Sequence, residues 1–137
     1  MVLSREKKPD LHNLSTDALS ELGLVLRDTE AVLRSVYAPS KVIFSKLGFS
    51  AGLACHFHVV PVTEKLLAEI ASHPHYAAEP DGNDTMLFVS RIYCERELAS
   101  QEEDEMARTV SILRRAASLL LNTDGREHSH ARRSAQR

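Results

Sequence analysis

Residues 48–62, GFSAGLACHFHVVPV, place two patterns of reactive side chains next to each other. The first five residues spell the G-x-S-x-G signature of serine hydrolases, in which a sharp turn exposes a hydroxyl nucleophile, here that of Ser50. His56 and His58 lie two residues apart, a spacing that on a strand sends both imidazoles to one face. Such a pair can attack or bind a phosphoryl group, or it can ligate a metal ion.

The sequence that follows Ser50 is not typical of a hydrolase. The hydrolase turn needs a helix after it, whereas residues 53–60 are rich in strand formers and run into Pro61. His128 and His130, which would have to complete a catalytic triad, lie in a C-terminal stretch without apolar residues larger than Ala. We therefore interpret the glycines and Ser50 as a tight turn between two strands.

The histidine pair carries more functional information than the serine. Alternation along a strand puts His56 and His58 on one face and Phe57 on the other, which is apolar enough to be the core face. The imidazoles are then roughly 6.6 Å apart along the strand, so both can touch one phosphate or bind one metal ion. A metal site needs a third ligand, for which His73 and His75 are candidates. Both chemistries stay open at this point.

The flanking sequence predicts the elements that position this pair. Apolar residues at helical spacing predict one helix over residues 15–37, ended by Pro39, and a second from Ser100 to residues 122–125. The predicted strands are residues 41–47, 53–62 and 85–93, and a short helix is predicted over 64–72. The short link between the first two strands favours an antiparallel pair, and hence an α+β domain with a thin sheet.

Composition excludes several classes of protein. The 137 residues carry a net charge of −2, 5% aromatic residues and no Trp, which indicates no nucleic-acid polymer as partner. The chain has no apolar run near the roughly 20 residues that span a bilayer, and its polar N-terminal residues lead us to expect no secretory signal. Cys55 and Cys94 form no disulfide framework, and Cys94 is predicted to be buried. We expect a cytoplasmic protein with one domain over 1–124 and a disordered tail over 125–137.

Residues 54–61, ACHFHVVP, resemble the histidine triad family. That family is marked by His-φ-His-φ-His-φ-φ, with φ apolar, on a strand after a Gly-rich loop. His56 and His58 match its second and third histidines, and LSTDALSELGLVL resembles its first helix. The resemblance covers roughly residues 1–95. It implies an α+β homodimer whose antiparallel sheet carries one long helix after its first strand and a C-terminal helix.

The resemblance also implies a reaction, the hydrolysis or transfer of a nucleotide at its α-phosphate. Substrates would be dinucleoside polyphosphates or nucleoside phosphoramidates, with no cofactor and no resident metal. His56 maps onto the nucleophile that forms a nucleotidyl-histidine, and His58 onto the histidine that holds phosphoryl oxygens. Ser50, Gly52 and Lys46 are the residues expected to bind the phosphate and the nucleotide.

The chain departs from the family pattern at identifiable positions. Ala54 replaces the first histidine, although its backbone carbonyl can still orient the far nitrogen of His56. A histidine upstream of the first helix corresponds to Lys7 or Lys8, and the family has further strands that would precede Met1. Two alternatives therefore stand beside the enzyme: a non-catalytic nucleotide- or phosphate-binding module, and an H-x-H metal-binding protein.

Overall fold

The computed structural model describes residues 1–48, 52–76 and 78–134, with side chains described as far as residue 120. Its strands are β1 (Val2–Leu3), β2 (Lys41–Ser45) and β3 (His56–Val62). Its α-helices are α1 (Thr16–Tyr37), α2 (Glu64–Ala71), α3 (Gly82–Phe88) and α4 (Ser100–Ser134). A short 3₁₀ turn covers Leu11–Asn13 and a π-helical segment covers Val89–Cys94. The chain is therefore an α+β protein, as predicted.

The sheet has the strand order β1-β3-β2, and both neighbouring pairs are antiparallel. The register places Ser45 opposite His58 and Ile43 opposite Val60, which confirms the predicted antiparallel pairing of the two central strands. Val2 pairs with Phe57, so the third strand comes from the N-terminal end of the chain.

The third strand predicted over residues 85–93 is wrong, because this stretch is helical. Asp81 caps α3: its carboxylate accepts from the backbone N–H groups of Asn83 (2.7 Å) and Asp84 (2.9 Å). The Asp84 carboxylate accepts from the Asp81 N–H in return, which completes a capping box. Thr85 and Phe88, three residues apart, are both buried on one side of this helix. Local capping and burial thus outweigh the strand preference of the apolar residues. Cys94, predicted to be buried, is exposed.

The two long helices follow the predicted pattern more closely. Ser15 accepts from the Ala18 N–H at the start of α1, and Ala38 ends the helix in the left-handed region with φ 45°. Helix α4 begins at Ser100 as predicted but continues to Ser134, past the predicted end at residues 122–125. That stretch, NTDG, is a weak helix former but contains no proline to block helical hydrogen bonds. The domain boundary at residue 124 stays a prediction. None of the described helices has the length and apolar composition needed to cross a membrane.

The buried core lies on the side of the sheet that carries the histidines, which reverses the predicted core face. Val60 and Val62, on the same face of β3 as His56, are buried together with Ile70 of α2 and Phe88 of α3. Phe57, on the other face, is only half-buried. Strand alternation defines two faces but does not decide which of them is buried in the folded chain.

This reversal changes the expected cost of a core substitution. Phe57→Ala should cost less than the roughly 3–5 kcal/mol that is typical of a buried Phe, because this residue is only partly buried. Phe88→Ala, at a side chain 1% exposed, should fall within that range. Urea unfolding of both variants measures the difference, and an equal or larger loss for Phe57→Ala would contradict the assignment of the core face.

Candidate functional site

The structure brings the two imidazoles of β3 together on one face. The ring centroids of His56 and His58 are 4.9 Å apart and the rings are inclined by 61°. Their Nε2 atoms are 3.1 Å apart, within hydrogen-bond distance. His56 is only 8% exposed, whereas His58 is half-buried. Solvent therefore reaches the pair mainly at His58, while His56 is buried.

Hydrogen-bond partners fix the proton positions in a neutral pair. Nδ1 of His56 lies 2.7 Å from the carbonyl oxygen of Ala54, and a carbonyl can only accept, so this nitrogen carries the proton. Nε2 of His56 then holds the lone pair, and Nε2–H of His58 donates to it. The carbonyl of Ala54 thus does what the sequence analysis expected of it, which is to orient the nitrogen far from the reactive one.

The environment of His58 favours its neutral form. Burial is the main cause that lowers the pKa of His58 from its usual value of 6.5, because it disfavours the charged ring. Repulsion from the charged form of His56 and from the N-terminal ammonium lowers the pKa further. A neutral His58 retains one donor and one acceptor nitrogen near neutral pH, as the hydrogen bond to His56 requires.

Gly48 packs directly on the ring of His56. A Cβ atom at this position would lie 2.9 Å from Nε2 of His56 and closer still to Cε1, inside any van der Waals contact. A glycine is required here because the loop after β2 approaches the imidazole with its backbone. The sequence alone indicates only that Gly48 belongs to a turn, because its one signal there is a glycine in a Gly/Ser stretch. Gly52 has φ 86°, a left-handed conformation that favours glycine, and Ser50 lies outside the described residues.

Lys46, predicted to bind nucleotide, is paired with an acid that the sequence analysis did not single out. Its ammonium lies 2.7 Å from Oδ1 of Asp10. The hydrogen bond to Asp10 raises the pKa of Lys46 and lowers that of Asp10, and Cys55 also contributes to the raised pKa of Lys46. The cation therefore lies near Cys55 with its charge balanced by Asp10. A nucleotide-binding role for Lys46 stays a prediction.

The N-terminal segment holds the residues that lead into His56. The Ser4 N–H donates to the carbonyl of Cys55 (3.2 Å), and the Cys55 N–H donates to the carbonyl of Lys8 (2.6 Å). Cys55 is 3% exposed and is thus fixed on both sides immediately after Ala54. Lys8, which the resemblance placed near the site, contributes its backbone there, and its side chain is exposed.

His73 and His75 lie in an aromatic cluster of their own. The ring of His73 is 5.3 Å from Tyr76, 5.6 Å from Phe88 and 5.5 Å from His75. Within the described part of the chain, no three His, Cys, Asp or Glu side chains form a group that could hold a metal ion. The structure does not bring His73 and His75 to the histidine pair as further ligands.

Comparisons with known proteins found no match for this chain. The chain matches no protein-family model. It matches no curated protein and no solved structure. The resemblance to the histidine triad family therefore rests on the residues of the motif, and the function on the arrangement around His56.

We expect the imidazole of His58 to titrate below 6.5, and the His56→Gln variant to move that pKa part of the way back up. The substitution removes a positive neighbour but leaves burial, the larger cause, in place. NMR titration of the ring protons measures both values. Because His58 binds a proton more tightly in the unfolded chain than in the folded one, its contribution to the free energy of unfolding is fully present above about pH 6.5. That contribution is lost as the pH falls from about 6.5 towards the pKa of His58 in the folded protein. A folded pKa at or above 6.5 is incompatible with the described packing.

Two glycine substitutions test the close approach of Gly48. Gly48→Ala should destabilise the fold and displace His56, because the new methyl group overlaps the ring. Gly23→Ala is the matched control: its Cβ meets nothing within 4 Å, and it lies inside α1, so it should stabilise by about 1 kcal/mol. Thermal unfolding of both variants gives the comparison, and a Gly48→Ala protein as stable as wild type would refute the contact.

Proposed function

We propose that this protein is a nucleotide hydrolase or nucleotidyl transferase of the histidine triad type. It acts at the α-phosphate of a dinucleoside polyphosphate or a nucleoside phosphoramidate, and His56 is its nucleophile. The observation that carries the proposal is the hydrogen bond from Nδ1 of His56 to the Ala54 carbonyl, with Nε2 directed towards His58. As part of the same proposal, the protein is a cytoplasmic homodimer.

A proton held on Nδ1 makes Nε2 a defined nucleophile. Nε2 of the neutral ring has its lone pair in the ring plane, and the Ala54 carbonyl keeps the ring from rotating. As Nε2 forms a bond to phosphorus, positive charge develops over the imidazole and strengthens the Nδ1–H hydrogen bond to the carbonyl. The carbonyl belongs to the backbone, so the replacement of the first family histidine by Ala54 leaves this interaction intact.

The role of His58 follows from its single donated hydrogen bond. Without substrate, Nε2–H of His58 donates to Nε2 of His56 and occupies the lone pair. A phosphoryl oxygen that enters the site is a stronger, charged acceptor, so His58 turns its N–H towards that oxygen and releases the lone pair of His56. His58 therefore stabilises charge on the phosphoryl group and keeps the nucleophile occupied until substrate arrives.

The reaction balances in two displacements at phosphorus. In the first, Nε2 of His56 forms an N–P bond while the bond from phosphorus to the leaving group breaks; the leaving group keeps the electron pair, and an amine leaving group also takes a proton from solvent. In the second, the oxygen of water attacks phosphorus and the N–P bond breaks, which returns the pair to Nε2. The water proton passes to solvent. In a transferase, another hydroxyl or amine replaces the water.

Metal binding is the second candidate, favoured by one distance. Two nitrogen ligands of a tetrahedral zinc ion, each at about 2.0–2.1 Å, are about 3.3 Å apart, close to the 3.1 Å between the two Nε2 atoms. The described residues supply no third ligand. Elemental analysis of protein purified without a His tag distinguishes the two candidates, because stoichiometric zinc would favour a metalloprotein.

The decisive experiment traps the covalent intermediate. Incubation with an adenosine phosphoramidate at neutral pH, followed by mass spectrometry, should show one adenylyl group on His56. His56→Gln should lose the adduct and at least about 10³-fold in turnover, and His58→Gln about 10²–10³-fold. His75→Gln, at an exposed histidine of the other cluster, should leave turnover unchanged.

Two results would overturn this assignment. Full turnover by folded His56→Gln protein would exclude His56 as the nucleophile; circular dichroism must confirm the fold, because His56 is buried rather than outward-facing as predicted from sequence. Saturable nucleotide binding without adduct or turnover would make the protein a binding module.

A further inference from the structure

A large hollow lies on the face of the sheet opposite the histidines. Its volume is about 780 Å³, and it is an open hollow lined mainly by residues of α1, α4 and β3. We call it the α1–α4 hollow; its apolar walls include Val32 and Leu33 of α1, Val59 and Pro61 of β3, and Leu113 and Ala117 of α4. Pockets that bind small molecules typically have volumes of about 300–1,000 Å³ and mostly apolar linings.

The apolar side chains around this hollow are not sealed by the protein itself. Helix α1 contains no buried residue although it is 22 residues long. Val25, on the wall, is 43% exposed, and Val59 and Leu113 are half-buried. By contrast, Val60 and Val62, whose side chains lie on the other face of β3, are buried. An apolar ligand would therefore bury apolar surface that remains exposed to solvent in the folded chain.

The rim of the hollow is cationic. Arg27 and Arg114 both line it, together with one acid, Asp28. Arg27 is held by Asp28 through an ion pair of 2.6 Å. Arg114 is exposed and has no ion-pair partner among the described side chains. A guanidinium is thus left at the edge of an apolar hollow, where it can bind a carboxylate through two parallel hydrogen bonds.

We propose that the α1–α4 hollow binds a single-chain amphiphile with an anionic headgroup, such as a fatty acid. The hydrocarbon chain lies between α1 and α4 against Val59 and Pro61, and the carboxylate meets Arg114 at the rim. An apolar interior with one cationic side chain at its edge, Arg114, that no described acid neutralises complements this class of ligand in both shape and charge. The site does not depend on the function proposed for the histidines, which lie on the other face.

Isothermal titration calorimetry with dodecanoate, at concentrations below its critical micelle concentration, tests the proposal. We expect one molecule per chain, with dodecyltrimethylammonium and dodecanol, which have the same chain length, binding at least tenfold more weakly. Equal binding of the anion and the cation would show detergent-like adsorption and overturn the proposal, as would the absence of dodecanoate binding.

Two arginines that are neighbours in sequence provide a matched pair of variants. Arg114→Gln should weaken dodecanoate binding about tenfold, whereas Arg115→Gln, which does not line the hollow, should leave it unchanged. Ala117→Phe, which fills the hollow, should abolish binding. Equal effects of the two arginine variants would overturn the proposal. A third result would show that a second copy of the chain covers this face instead. In it, the wild-type protein sediments as a dimer, Ala117→Phe dissociates that dimer, and dodecanoate does not bind.

Discussion

The hydrogen bond between Nδ1 of His56 and the Ala54 carbonyl is the interaction on which the histidine site depends. It fixes the position of the proton, which in turn determines that Nε2 faces His58 as an acceptor. The bond can form only if the backbone before β3 is held in place, and the hydrogen bonds of Cys55 to the N-terminal segment do this. Gly48 then closes on the ring from the side of β2. The imidazole of His56 is thus held by the hydrogen bond to the Ala54 carbonyl and by the contact with the backbone of Gly48.

The two faces of strand β3 lie in different environments. On the histidine face, Val62, Val60 and His56 are buried, and His58 between them is half-buried and reaches solvent. An imidazole in such a position loses much of its hydration, which lowers the pKa of His58, yet keeps access to solvent. On the other face, α1 and α4 leave a hollow above Val59 and Pro61. The two proposed sites can therefore be occupied independently.

The N-terminal segment links the beginning of α1 to the site. The Glu6 carboxylate accepts from the backbone N–H and the hydroxyl of Ser15, while Ser15 caps the first turn of the helix. The segment also supplies β1 and Asp10, which balances the charge of Lys46 beside the loop that leads to Gly48. A short stretch with few apolar residues thus organises the sheet edge, the helix start and the loop by hydrogen bonds and charge.

The sequence by itself determined the elements whose signals are local. Helix α1 with its cap, the central antiparallel strands and α2 follow from periodicity, capping residues and proline, and alternation alone put His56 and His58 on one face. Tertiary structure decided which face of β3 became the core, because both faces carry apolar residues and strand alternation does not distinguish them. It also decided that residues 82–94 are helical, that the third strand is N-terminal, and that the backbone of Gly48 lies on His56. For the N-terminal strand the deciding contacts join segments distant in the chain, since Val2 pairs with Phe57. Gly48 and His56 are only eight residues apart, but no residue pattern in that stretch predicts that the backbone of one lies on the ring of the other.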